Sequence, residues 1–66
     1  MKYEEVEVGR MYRWGSVVLK VRDKTSMNHW YIIFLDDPIN TKGLIMVHAK
    51  ELSPLTKIEK ELYEEA

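Results

Sequence analysis

The residues of this chain that could carry chemistry are few: His29, His48 and the adjacent carboxylates Asp36 and Asp37. Histidine with carboxylate can bind a metal or exchange protons, but either use demands convergence, and no ligand spacing links these four. Isolated histidines read as surface or rim residues. Asp36-Asp37-Pro38 reads as a turn, because aspartate bonds its own backbone there and proline cannot extend a ladder. The absence of cysteine excludes a disulfide frame, a thiolate nucleophile and the Cys-containing zinc sites. No nucleophile stands with a base and an orienting group. The three glycines lie too far apart to cradle a phosphate. The chain is therefore expected to be no enzyme and to carry no metal or cofactor.

Contact chemistry is better supplied. Seven residues are aromatic, and in so small a domain the largest side chains go first to the core. Trp30 and Phe34 are assigned there. Tyr12, Trp14 and Tyr31 stand open between core and surface, since they sit among charges or on the second face of their strand. Trp14, beside Gly15, is the aromatic first expected in solvent. With Tyr63 near the C-terminus, these three are the candidate anchors for a protein partner, the role Trp and Tyr fill at interface hot spots.

A second set is basic. Arg10, Arg13, Lys20, Arg22 and Lys24 face only Asp23 in the same stretch, although the whole chain has a net charge of −1. On a hairpin, Lys20 and Arg22 share a face. With Trp14 stacking on bases, they would form a nucleic-acid platform; otherwise they are a solvated strand face. Beyond Glu51 the balance reverses, with Glu59, Glu61, Glu64 and Glu65 against Lys57 and Lys60. That end is either a solvated helix face or a docking surface for a basic partner.

Sixty-six residues make one domain. A hydrophobic share of 45% is enough for a core. At this length stability is modest, and oligomerisation often assists, so a homo-oligomer is open. The acidic N-terminus lacks the apolar stretch of a signal peptide. The longest apolar run, residues 30–35, is far below the roughly 20 residues of a membrane helix. A soluble, cytoplasmic protein with no membrane contact is expected.

Short strands broken by turn formers account for most of the chain. They span residues 10–14, 17–22, 29–35 and 44–49, with Gly15-Ser16 as a tight turn, residues 23–28 as a loop and residues 36–43 as a second turn. In the third strand, Trp30, Ile32 and Phe34 share one face and Tyr31, Ile33 and Leu35 the other. With both faces apolar, it is expected to be central or to have one face covered by the helix. Leu52, Leu55, Ile58 and Leu62 recur at helical spacing. Ser53 followed by Pro54, and Thr56 followed by Glu59, compete as helix starts. Four to five strands with one short helix, and no room for parallel crossovers, predict a small antiparallel β-barrel over residues 8–52 with a helix over 53–65.

The run Trp30-Tyr31-Ile32-Ile33-Phe34-Leu35-Asp36-Asp37 resembles the third-strand signature of Tudor-like SH3 barrels, in which aromatic and aliphatic residues alternate before an acidic turn. Val8-Gly9 and Leu52-Ser53-Pro54-Leu55 are similar to the opening and end of such domains. The resemblance covers roughly residues 8–55 and implies an SH3-like barrel. Asp37 stands where the family has glycine, and the stretch from Gly9 to Val17 is too short for the loop that supplies cage aromatics. A methyl-lysine cage is therefore not carried over. The chain starts with methionine and reads as a complete, stand-alone domain. The expected function is a regulatory or binding module working by protein contact, by analogy with small accessory proteins of bacteria or phage, inhibitors among them. Nucleic-acid binding through the basic hairpin is the alternative.

Overall fold

A two-residue turn at Gly15-Ser16 folds the first strand, β1 (Met11–Trp14), back onto β2 (Val17–Met27). Gly15 has φ 62°, a value that glycine reaches without the penalty a side chain brings. A second tight turn at Asn28-His29 joins β2 to β3 (Trp30–Asp36). There Asn28 supplies the positive φ, 55°, which its short polar side chain tolerates. β4 (Leu44–His48) runs antiparallel to β3, and the two-residue β5 (Leu52–Ser53) runs antiparallel to β1. The computed structural model describes residues 1–40 and 42–64. Thr41, in the turn before β4, and Glu65, assigned to the acidic helix end, lie outside the described residues.

The architecture is the mainly β one expected, five antiparallel strands in one sheet with a short C-terminal helix, α1 (Lys57–Tyr63). Two expectations are corrected. Residues 23–28 do not form a loop, because β2 continues through Met27, pairing Thr25 with Ile32 and Met27 with Trp30. Polar side chains concealed this strand, whose backbone is held by the β3 ladder rather than by its own propensity. The sheet also does not close. Its order is β4-β3-β2-β1-β5, leaving β4 and β5 as edges. A 3-10 turn at Ala49–Glu51 carries the chain from one edge to the other, so a connection and not a ladder links them.

A register irregularity at Arg22, between Val21 and Asp23, lets β2 pair with β1 along one half and β3 along the other. Bulges of this kind bend a strand and increase its twist, and the bend folds the sheet around one core. Tyr12, Leu19, Val21, Ile33, Leu35, Val47, Ala49 and Leu52 fill it, together with Val6 from the N-terminal segment. That segment, with Met1 and Tyr3 packed alongside, covers the inner face. The helix does not.

Candidate functional site: an open apolar sheet face

The two-residue period of β3 sends Tyr31, Ile33 and Leu35 inward and Trp30, Ile32 and Phe34 outward. Cross-strand register then assembles the outer face: Met27 stands opposite Trp30, Thr25 opposite Ile32, Met46 opposite Phe34, and Leu44 opposite Asp36. Nothing in the described residues covers this face. Trp30 is 66% exposed, Met46 67%, Met27 70% and Leu44 48%, while Ile32 and Phe34 are half-buried between them. Isolated exposed apolar residues need no explanation, but a contiguous set marks a contact surface. Asp36 lies on its rim, with the Arg22 guanidinium Nε 2.7 Å from the carboxylate Oδ1.

The aromatic assignments are thereby reversed in part. Trp30, expected in the core, is the exposed tryptophan. Tyr12, a candidate anchor, is 7% exposed. Its hydroxyl accepts a hydrogen bond from the Glu7 amide (2.8 Å) and donates to the Glu5 carbonyl (3.4 Å), so a buried ring pins the N-terminal segment. Trp14, expected in solvent, is half-buried against the core, as is Tyr31, whose ring meets Tyr3 at 5.5 Å between centroids. Tyr63 remains at the surface, 48% exposed, lining a shallow hollow with Arg10, Met11, Lys20 and Glu64. The four candidate anchors are not brought together.

The helix explains why the outer face stays open. Thr56 caps it in a box with Glu59: the Thr56 hydroxyl accepts from the Glu59 amide (3.2 Å), and a Glu59 carboxylate oxygen accepts from the Thr56 amide (3.0 Å). Starting at Lys57, the helix omits Leu52 and Leu55, which are buried before it begins. Ile58 and Leu62 are left exposed, at 69% and 66%. The helix is held instead by charge: Arg13 pairs with Glu59, and Arg10 with Glu64 at 3.6 Å. The expected apolar stripe is thus split, and the helix is tethered to Arg10 and Arg13 and leaves β3 uncovered.

Most of the basic set is engaged. Arg10 also pairs with Glu7, and Arg22 pairs with Asp36. Lys24 lies over the Tyr3 ring at 4.6 Å and donates to the Val6 carbonyl (2.7 Å) and the Tyr3 carbonyl (3.3 Å). Lys20 alone of the five has a side chain with no ion pair or hydrogen bond among the described residues. Asp37 caps its turn, its Oδ1 accepting from the Ile39 and Asn40 amides. His48 Nδ1 accepts from the Lys50 amide (3.2 Å), and His29 lies in the exposed second turn. Among the described residues, no three histidine or acidic side chains come together as a metal would require, and no helix is long and apolar enough to cross a membrane.

The outer face was readable in part, because a strand apolar on both sides must bury or expose one of them. Leu44 and Met46 carried no signal of their own, and Met27 lay in the stretch read as a loop. Compared with protein-family models, with curated proteins and with solved structures, the chain matches none.

Proposed function

We propose that this protein is a non-catalytic regulatory or binding module that acts by protein–protein contact through the outer sheet face centred on Trp30. One observation carries the reading: Met27, Trp30, Leu44 and Met46 form a contiguous apolar surface on a chain otherwise rich in charge. Trp is the residue most enriched in interface hot spots, and Met adapts its shape to a partner. The nucleic-acid alternative has less support, since only the Lys20 side chain of its basic set is unengaged and Arg10 and Arg13 are paired with Glu64 and Glu59.

The test is capture by the immobilised protein from a lysate of its source, with nuclease, at low and moderate salt, and identification of what is bound by mass spectrometry. A specific protein should survive both treatments, be lost with Trp30→Lys and be kept with Lys20→Glu. Phosphate-dominated binding weakens steeply over that salt range. Capture that disappears with nuclease, or that ignores Trp30→Lys, refutes the proposal.

A further inference from the structure

The chain has four methionines and no cysteine, so thioethers are its only sulfur. The fold sorts the four into two pairs. Met1 and Met11 are half-buried, Met1 against the core. Met27 and Met46 are exposed, and cross-strand register sets both on the outer sheet face. Met27 stands opposite Trp30 on the β2–β3 ladder, and Met46 opposite Phe34 on the β3–β4 ladder. Neither belongs to the core cluster. A change of polarity at either sulfur therefore falls on the apolar surface and leaves the packing beneath it alone.

We infer that Met27 and Met46 form a reversible oxidation site that turns the outer face from apolar to polar. The co-reactant is a hydroperoxide. A thioether lone pair attacks its terminal oxygen, so an S–O bond forms and the O–O bond breaks. Sulfur gives up two electrons, and the leaving oxygen takes the proton of the transferred one and departs as water or an alcohol. The product, methionine sulfoxide, is a polar side chain in place of an apolar one. Two sulfoxides would flank Trp30 and Phe34. A partner that docks on this face would then have to strip water from both oxygens without supplying donors, which opposes contact. Two thiols, acting through a sulfoxide reductase, return the thioether with water and a disulfide as products, and the face is apolar again. The inference rests on the outer face being the contact surface and names how that surface is regulated.

Titration of the full chain with hydrogen peroxide, followed by peptide mapping in a mass spectrometer, tests it. Met27 and Met46 should convert before Met1 and Met11, with circular dichroism and the urea midpoint unchanged. The chain oxidised at these two positions should elute earlier from a phenyl-substituted resin. It should also capture roughly tenfold less of the lysate protein whose capture needs Trp30, as expected when polar oxygens are desolvated without partners. Treatment with both epimer-specific sulfoxide reductases and dithiothreitol should restore resin retention and capture together. Earlier conversion of Met1 or Met11, or loss of the fold with the sulfoxides, overturns the inference. So does capture that ignores the two sulfoxides, or that stays lost after both are reduced. An untreated chain that captures no Trp30-dependent protein ends the contact reading and this inference with it. Equal capture by the untreated and oxidised chains ends this inference alone.

Discussion

Tyr12 shows how one side chain can determine what a neighbouring segment does. Its ring fills core space, and its hydroxyl joins residues 5 and 7 of the lead-in to β1. Removing the hydroxyl alone leaves the packing but strands the Glu7 amide in a partly buried position. Tyr12→Phe should therefore cost about 1 kcal/mol in urea unfolding, with faster amide exchange at Glu7. Trp30, of similar size, reports the opposite environment. The difference was not legible from composition, since both residues are aromatic and both stand in alternating strands. What separates them is which strand face the N-terminal segment reaches, a long-range fact.

At the scale of elements, the helix is the least self-sufficient part. Seven residues are too few to be stable alone in water, so α1 depends on its capping box and on the pairs Arg13–Glu59 and Arg10–Glu64. Thr56→Ala should remove the cap and about 1 kcal/mol of local stability, seen as lost helical ellipticity while the environment of the half-buried Trp14 is kept. A global loss of structure in this variant would show that the helix is integral to the core. The capping residues were legible in the sequence, because Thr56 and Glu59 have the required spacing. The face the helix presents was not: the leucine periodicity runs from β5 across the turn into the helix, and only Ile58 and Leu62 of it are helical.

For the molecule as a whole, stability rests on a small core closed by a segment that is not part of the sheet. Val6 is fully buried at the junction of both halves of the sheet with the lead-in. Truncating it opens a void with little around it that can collapse. Val6→Ala should destabilise the whole domain by about 2 kcal/mol. In a chain of this length that lowers Tm by roughly 10 °C in a single cooperative transition. A change confined to the first residues, with Tm unmoved, would mean that the lead-in is a separate unit.

Local chemistry written in the sequence determined the antiparallel β class, the turn at Gly15 and the capped helix start. Each depends on neighbours within a few positions, where backbone preference and side-chain period act directly. Tertiary structure alone decided the outcome at three places. It placed the N-terminal segment over the inner sheet face, held the helix to β1 by Arg13 and Glu59, and left β4 at an edge of the sheet. The physical reason is the same in each case. β3 is apolar on both faces, and which face becomes core depends on which distant segment packs there. That choice left Trp30 and Met46 in solvent.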